Sequence, residues 1–286
     1  MSSDTMASGL AQLPVRYRVV LSDIWGCVHD GLHIFPEAQA LLARWRSQGR
    51  IVLLITNAPR PAGAVRAQLD RLGLDPASYD GIVTSGDTGL AALRAEGRVE
   101  AGFIGTAADR RVIEETGLRL LDGPQGDAVV CTGLEEGKAD AAEYDPVLAD
   151  MRGRGAHLHC FNPDRVVLRG PVREPCAGAI AERYEAIGGR VAWYGKPYAP
   201  IYARALVVAG EKAGRAVDPA EVVAVGDSIR TDLVGAADAG LDFVFVTHGI
   251  EGDRIDSEGS AALIARFAEE HGMTLPAPIA TAPRLA

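Results

Sequence analysis

Asp23, Thr56 and Asp227 each follow a short apolar run, and together they could carry out phosphoryl transfer. A carboxylate such as that of Asp23 can act as a nucleophile and form an aspartyl-phosphate. Because carboxylate and phosphate repel each other, a divalent cation is needed between them. Asp23 and Asp227 could share a hard, oxygen-preferring ion, and Mg²⁺ suits carboxylates plus water.

Further polar groups could complete such a site. Thr56 and the backbone amides after it could bind phosphate oxygens, and Lys196 could neutralise charge on the nucleophile and the phosphate in the transition state. One polar residue at a strand end is often only a helix cap. Three polar sets at the carboxyl edge of one parallel sheet, where ligands bind, favour a functional site instead.

Elements that could position these residues are visible along most of the chain, because buried apolar runs alternate with amphipathic stretches. This alternation predicts βαβ units, and therefore an α/β fold with a Rossmann-like parallel sheet. The predicted strands are 18–22, 51–55, 81–85, 101–104, 128–131, 157–161, 222–225 and 243–246. The predicted helices are 36–48, 63–72, 107–115, 146–152, 177–187, 200–213 and 261–270.

Composition limits the possible partners and compartments. The 286 residues include 29 Lys+Arg and 38 Asp+Glu, so the net charge is −9, and no basic block offers a surface for nucleic acid. No apolar run approaches 18 residues, which argues against a membrane helix, and the first residues lack the pattern of a signal peptide. The four scattered cysteines fit a reducing cytoplasm. Cys27 is expected to be a small buried filler.

Four motifs in this order resemble the haloacid dehalogenase (HAD) superfamily of Mg²⁺-dependent hydrolases. They are Leu21–Gly26 (LSDIWG), Leu54–Asn57 (LITN), Tyr194–Pro197 (YGKP) and Val225–Ala236 (VGDSIRTDLVGA). The last motif is the most specific, since it has a Gly-Asp pair followed by a second Asp that leads into Gly-Ala. The resemblance implies hydrolysis of a small phosphate monoester, such as a sugar phosphate, nucleotide or cofactor phosphate.

The segment between Asn57 and Lys196 resembles the α/β cap of class IIA members, the NagD-type phosphatases, 4-nitrophenylphosphatases and pyridoxal phosphatase. The resemblance implies a core domain interrupted by a cap, and it makes a homodimer plausible. The expected divisions are a flexible tail at 1–14, a core at 15–84 and 193–275, a cap at 85–192 and a second tail at 276–286.

The resemblance assigns roles to the residues of the core motifs. Asp23 matches the nucleophile and a metal ligand, and Asp227 matches the second metal carboxylate. Asp232 matches an outer-shell acid that orients metal-bound water, and the backbone carbonyl of Trp25 would be a further ligand. Lys196 matches the lysine that neutralises charge.

The resemblance also implies a set of substrate contacts. Thr56, Asn57 and Ala58 match the segment that binds phosphate. Asn162 and Asp164 belong to a cap segment that can reach over the site, and substrate binding is their implied role. The alternative for these two residues is a polar turn after a cap strand.

The chain departs from the family pattern at Trp25. Family phosphatases usually have D-x-D-G, whose second Asp protonates the leaving group and then activates water, whereas this chain has D-I-W-G. Another group could substitute, such as His29, Asp30 or a cap residue, although a structural role is favoured for His29. Dehalogenase-type chemistry, with an aromatic residue at this position, ranks low because Asp227 and Asp232 are intact. The third possibility is a phospholigand-binding protein with little turnover.

Overall fold

A computed structural model describes residues 10–169 and 172–286. The strands are β1 (Val19–Asp23), β2 (Ile51–Thr56), β3 (Gly81–Thr84), β4 (Glu100–Ile104), β5 (Arg119–Leu120), β6 (Ala128–Cys131), β7 (His157–Cys160), β8 (Val166–Arg169), β9 (Val172–Pro175), β10 (Arg190–Trp193), β11 (Val222–Gly226), β12 (Asp242–Val246) and β13 (Ala280–Ala282). The helices are α1 (Pro36–Ser47), α2 (Ala62–Leu72), α3 (Ser85–Ala95), α4 (Ala107–Glu114), α5 (Asp145–Gly153), α6 (Ala177–Ala186), α7 (Ala199–Ala213), α8 (Val234–Asp238), α9 (Gly252–Glu258) and α10 (Ser260–Glu270). Short 3₁₀ turns lie at Pro76–Ser78, Ala141–Tyr144 and Pro219–Glu221, and a π-helical turn lies at Ile229–Leu233.

The chain divides into two compact units. The first unit comprises the described residues up to Thr56, together with Gln68–Val83 and Tyr202–Ala286. The second unit comprises Asn57–Ala67 and Thr84–Ile201. Each unit is built around its own sheet, so the prediction of an α/β fold is confirmed.

The first unit contains a six-stranded sheet in the order β3-β2-β1-β11-β12-β13. β1 pairs in parallel with β2 on one side and with β11 on the other, and β12 and β13 continue the parallel pairing. From the central pair, the sheet therefore continues to β2 and β3 on the β1 side and to β12 and β13 on the β11 side. In an open parallel sheet, the point where the strand order changes direction forms a crevice at the carboxyl ends of the two strands, where ligands bind.

The two central strands are formed by runs that are apolar almost throughout. Every residue of β1 (VVLSD) and of β11 (VVAVG) is buried. A strand that is covered on both faces requires such a continuous apolar run rather than alternation. The same property made both strands predictable, and it fixes the positions of the polar residues at their ends.

The second unit contains a five-stranded sheet in the order β10-β7-β6-β4-β5, with parallel pairing throughout, and an antiparallel hairpin of β8 and β9. One apolar cluster of this unit includes Tyr144, Met151, Leu158, Ile180 and Tyr184. A second cluster includes Leu93, Phe103, Ile113, Phe161 and Tyr194. The unit therefore has a core of its own.

Both described ends of the chain carry buried side chains within the segments where the sequence predicts tails. Leu10 and Leu13 are 2% and 5% exposed, and the Leu10 carbonyl accepts a hydrogen bond from Trp45 Nε1 at 2.9 Å. At the other end, β13 extends the sheet and Leu285 is 1% exposed. Leucine side chains in both segments supply this burial. Residues 1–9 of the expected first tail lie outside the described residues.

Within the described ranges, no helix is both long enough and apolar enough to cross a lipid bilayer.

Candidate active site

The carboxyl ends of β1 and β11 place two acidic side chains beside each other. Asp23 is the last residue of β1, and Asp227 follows the last residue of β11. The parallel register pairs Ser22 with Val225, so the two carboxylates extend from neighbouring strand ends. Both residues are only 5% exposed. Two buried carboxylates at close range repel each other, and a bound cation relieves that repulsion.

The side chains of this edge fit a divalent metal ion. One oxygen of Asp23, one oxygen of Asp227 and the sulfur of Cys27 all lie within 4.8 Å of one another. Carboxylate oxygens are the ligands that Mg²⁺ prefers. Cys27 is buried, as the sequence predicted, but it also belongs to this group of potential ligands. The contribution of the Trp25 carbonyl remains a prediction.

The carboxylate of Asp227 is held by the loop after β12. The Ile250 backbone N–H donates to Asp227 Oδ2 at 2.8 Å. The backbone of two glycines lies close to this carboxylate. If Gly26 carried a Cβ atom, that atom would lie 2.0 Å from Asp227 Oδ2, and a Cβ atom at Gly249 would lie 1.8 Å from the same oxygen. Gly26 also has φ +82°, which L residues rarely adopt. Ile250 was not singled out from the sequence, because its backbone amide makes the contact and no residue type marks it.

Asp232 stabilises the turn that follows β11. The Ser228 N–H donates to Asp232 Oδ2 at 3.2 Å, within the π-helical turn. Asp232 is 3% exposed and is not in the group of three potential ligands. Its predicted outer role toward metal-bound water is therefore compatible with its position, and it remains a prediction.

Thr56 lies on the other side of β1 from Asp227. It ends β2, and the register pairs Asp23 with Ile55, so Thr56 lies one residue beyond the level of Asp23. Thr56 is 8% exposed. The first unit thus brings Asp23, Thr56 and Asp227 to one edge of its sheet, as the spacing predicted. Ala58 belongs to the second unit, where its carbonyl accepts from the Gly86 N–H at 3.1 Å.

The indole of Trp25 packs within the turn that follows β1. Its ring lies edge-on to the His29 ring, with centroids 4.9 Å apart. A Cβ atom at Gly31 would lie 2.7 Å from the indole, so the indole lies directly against the Gly31 backbone. An indole has no group that can exchange a proton with a leaving group at neutral pH.

The two candidate substitutes nearest in sequence are poorly suited to replace the missing acid. His29 is 2% exposed, and burial lowers its pKa from 6.5 to about 4, so the ring is neutral at pH 7. Its Nδ1 accepts from the Gly31 N–H at 2.9 Å, which assigns the ring proton to Nε2. Asp30 accepts hydrogen bonds from the Leu32 and His33 N–H groups, and its pKa is lowered by these backbone contacts despite the opposing effect of burial. Both geometries favour structural roles.

Asn57 joins two other predicted site residues within the second unit. Its Oδ1 accepts from the Lys196 backbone N–H at 2.6 Å, and its Nδ2 donates to the Lys196 carbonyl at 3.1 Å. The same Nδ2 donates to Asp164 Oδ1 at 2.8 Å. Both amide hydrogens of the side chain and its oxygen are thus engaged within the protein. Any contact of Asn57 with phosphate would therefore fall to its backbone N–H.

Asn162 and Asp164 form a polar turn after β7. Asn162 Oδ1 accepts from the Asp164 N–H at 3.1 Å, which is the geometry of an Asx turn. The Asp164 carbonyl accepts from the Gly178 N–H at 3.1 Å, which ties the turn to α6. These contacts agree with the alternative interpretation of the two residues as a polar turn after a strand. A role in substrate binding remains a prediction for both residues.

Lys196 is 3% exposed. The Asn57 side chain forms hydrogen bonds with both the backbone N–H and the carbonyl of Lys196. A buried ammonium group is stable only where acceptors or negative charge surround it. Two residues before it, the Tyr194 hydroxyl shares a hydrogen bond of 2.7 Å with His159 Nδ1. Burial lowers the pKa of His159 from 6.5 to about 4. The segment that carries Lys196 is therefore fixed by buried polar contacts.

Two family models match this chain. One, described as haloacid dehalogenase-like hydrolase, matches residues 20–119, and one described as HAD-hydrolase-like matches residues 193–270. The crystal structure of a haloacid dehalogenase-like hydrolase from Brucella suis 1330 is 34% identical, with a TM-score of 0.82 over 95% of this chain and 96% of that chain. The α/β fold and the two family models together define a HAD-like hydrolase. The chain belongs to the haloacid dehalogenase-like family, and the predicted class IIA resemblance is confirmed.

Two further relatives are phosphatases by name. The ribonucleotide monophosphatase NagD of Escherichia coli K12 is 28% identical over 244 residues, which cover 83% of this chain and 91% of NagD. A glycerol phosphate phosphatase from Mycobacterium tuberculosis, solved in complex with calcium, is 25% identical. Its TM-score is 0.61, over 84% of this chain and 68% of that chain.

Proposed function

We propose that this chain is a Mg²⁺-dependent phosphatase of small phosphate monoesters that acts through an aspartyl-phosphate on Asp23. The observation that carries the proposal is the pair of buried carboxylates, Asp23 and Asp227, at the carboxyl edge of adjacent parallel strands. Membership of the HAD-like hydrolases and the names of the relatives support it. The substrate would be a sugar phosphate, a nucleotide or a cofactor phosphate.

In this proposal, an oxygen of Asp23 attacks phosphorus, and the bond between phosphorus and the leaving oxygen breaks. The Ile250 N–H holds the carboxylate of Asp227 in place, and Asp227 and Asp23 would together hold the cation. Mg²⁺, when bound, would offset the negative charge of nucleophile and phosphate. The calcium complex of the mycobacterial relative supports a divalent site in this family.

The phosphate-binding roles follow the sequence prediction. Thr56 offers a hydroxyl at the same sheet edge as Asp23. The backbone N–H groups of Asn57 and Ala58 are the proposed phosphate donors, since the Asn57 side chain is engaged elsewhere. Lys196 is proposed to neutralise transition-state charge. Asn162 and Asp164 remain proposed substrate contacts of the cap.

A second candidate function follows from Trp25. The indole of Trp25 cannot protonate the leaving oxygen, and His29 and Asp30 are engaged in the turn. General acid–base catalysis contributes about 10²–10⁴-fold. The alternative is therefore a low-turnover or non-catalytic protein that binds a phosphorylated ligand. Dehalogenase-type chemistry ranks below both. The chain keeps Asp227 and Asp232, the acidic residues proposed to serve a metal ion, and dehalogenases of this superfamily do not use a metal.

The decisive experiment compares wild type, Asp23→Asn and Asp70→Asn. Asp70 is an exposed residue of α2, so its variant controls for the loss of one carboxylate. Turnover of 4-nitrophenyl phosphate and of a metabolite phosphate panel is measured with and without Mg²⁺. We expect Mg²⁺-dependent turnover in wild type and Asp70→Asn only. Equal rates in wild type and Asp23→Asn would refute the mechanism.

The same measurements address the alternative. Turnover at the level of Asp23→Asn, together with Mg²⁺-dependent ligand binding by calorimetry, would establish the binding protein instead. We further propose a cytoplasmic location, which the four scattered cysteines support, and a small phosphorylated metabolite as the partner rather than nucleic acid or membrane. A homodimer remains an expectation that light scattering tests directly.

A further inference from the structure

Cys27 contributes a sulfur atom to the carboxylate pair of the candidate active site. Its Sγ and one oxygen each of Asp23 and Asp227 lie within 4.8 Å of one another, and Cys27 is 1% exposed. Sulfur is a poor ligand for Mg²⁺, which is bound through oxygen. The proposed phosphatase function therefore makes no use of this thiol.

The backbone on both sides of Cys27 is fixed by hydrogen bonds. The Val28 N–H donates to the Ile24 carbonyl at 2.7 Å, and the Gly26 N–H donates to the His29 carbonyl at 2.8 Å. These bonds close the turn around Cys27, whose side chain is buried. The turn therefore holds the thiol beside the two carboxylates.

The other three cysteines have different surroundings. Cys131 and Cys160 lie in an apolar cluster of the second unit, and burial raises the pKa of Cys131 to about 12. The Cys176 thiol also has a pKa raised by burial, and its sulfur contacts the Glu174 carbonyl. Thiols in such surroundings are inert. Within residues 10–169 and 172–286, Cys27 is the one cysteine that belongs to a group of three potential metal ligands.

We propose that Asp23, Cys27 and Asp227 form a ligand set for thiophilic divalent cations such as Zn²⁺, Co²⁺ and Cd²⁺. On binding, the S–H bond breaks, its proton passes to solvent, and a sulfur–metal bond forms without a change of oxidation state. Zinc and cobalt take mixed thiolate and carboxylate ligands and bind such sites more tightly than Mg²⁺. Because Asp23 is the proposed nucleophile, ions held in this way would inhibit phosphatase activity.

The test is a Co²⁺ titration of the full-length, metal-free protein, followed by absorption spectroscopy. Coordination by a thiolate gives a charge-transfer band in the near ultraviolet, which carboxylate ligands do not give. We expect the band in wild type and in Cys176→Ser, and its loss in Cys27→Ser and Cys27→Ala. Competition with a chromophoric chelator should show Zn²⁺ affinity at least about tenfold weaker in both Cys27 variants.

Two results would overturn the proposal: cobalt binding to wild type without the band, or a band that persists in both Cys27 variants. Circular dichroism confirms that each variant is folded, and the serine and alanine variants guard against an effect of one substitution alone. The inference rests on the same carboxylates as the proposed function, but it does not depend on turnover. A thiolate band without phosphatase activity would refute only the function, whereas activity without the band would refute only this inference.

Discussion

The Asn57 side-chain oxygen accepts a hydrogen bond of 2.6 Å from the backbone N–H of Lys196, 139 residues further along the chain. The same side chain donates to Asp164, so one amide joins the residue after β2, the polar turn after β7 and the lysine segment. This amide therefore acts as a positioning group for Lys196.

Asn57→Asp should destabilise the protein. The substitution keeps the acceptor for the Lys196 N–H, but it replaces the donor with an oxygen that faces the Asp164 carboxylate and the Lys196 carbonyl. A buried, unpaired charge in this position should lower the free energy of unfolding by about 3 kcal/mol. Urea unfolding at pH 7 measures the change.

Asn162→Asp is the matched control, because the Asn162 contact with the Asp164 N–H needs only an acceptor. It makes the same chemical change and should cost less than about 1 kcal/mol. Equal destabilisation by the two substitutions would show that the Asn57 amide donor is unimportant.

Wild type should form a phosphoenzyme faster than it hydrolyses it. Trp25 removes the group that activates water against the aspartyl-phosphate, whereas 4-nitrophenolate is an activated leaving group that needs little protonation. Rapid-mixing experiments should therefore show a burst of 4-nitrophenolate of about one equivalent, followed by slow turnover. Mass spectrometry of quenched samples should detect one added phosphoryl group, absent in Asp23→Asn.

Trp25→Asp should remove this burst and raise steady-state turnover by about 10²–10⁴-fold. Trp25→Phe keeps an aromatic ring against His29 and supplies no acid, so it should behave as wild type. Unchanged turnover in Trp25→Asp would point to another group that already performs proton transfer.

Gly249→Ala should weaken metal binding. A Cβ atom there would lie 1.8 Å from Asp227 Oδ2, so the carboxylate must move to accommodate it. Calorimetric titration with Mn²⁺ should show affinity reduced at least about tenfold, a loss of about 1.4 kcal/mol. The matched control is Gly252→Ala, whose Cβ would lie 3.7 Å from the Thr247 carbonyl, an ordinary contact. Unaltered Mn²⁺ affinity in Gly249→Ala would exclude Asp227 as a ligand.

Stability should fall as the pH decreases from about 6.5 to about 4. His29 and His159 have pKa values of about 4 in the folded protein, against 6.5 as the ordinary value. The unfolded chain therefore binds more protons across this window, and each histidine lowers the free energy of unfolding by about 2 kcal/mol at pH 5.

His159→Gln should make this pH dependence shallower, because it removes one of the two buried imidazoles. Urea unfolding from pH 7 to pH 5 gives the comparison, in which the carboxylates contribute similarly to every variant. A wild-type slope in His159→Gln would contradict the assignment.

The sequence predicted the strands that carry the site, because continuous apolar runs such as those of β1 and β11 are typical of strands covered on both faces. It also placed Asp23, Thr56 and Asp227 at one sheet edge from the parallel topology alone. The helix α3 was not predicted, since its first turn contains Ser85, Gly86 and Asp87, although the Thr84 hydroxyl caps it by accepting from the Asp87 N–H.

The features that the sequence missed depend on contacts over long separations. The contacts of the Asn57 side chain were not predicted, because its partners lie more than 100 residues away. Cys27 was expected only to fill space. Its sulfur lies near Asp227 because β1 pairs with β11, and the local sequence around Cys27 does not show this pairing. Residue types and local spacing carry no signal for either relationship.

β13 covers the outer edge of β12, and the residues around it hold the loop that reaches Asp227. The Thr247 and His248 N–H groups donate to the Ala282 and Pro283 carbonyls at 2.9 Å, shortly before the Ile250 amide that binds the carboxylate. Deletion of residues 276–286 would expose the unpaired backbone of β12 to strands of other molecules, which promotes aggregation. Residues 280–286 thus shield the edge of β12 while they support the loop of the proposed metal site.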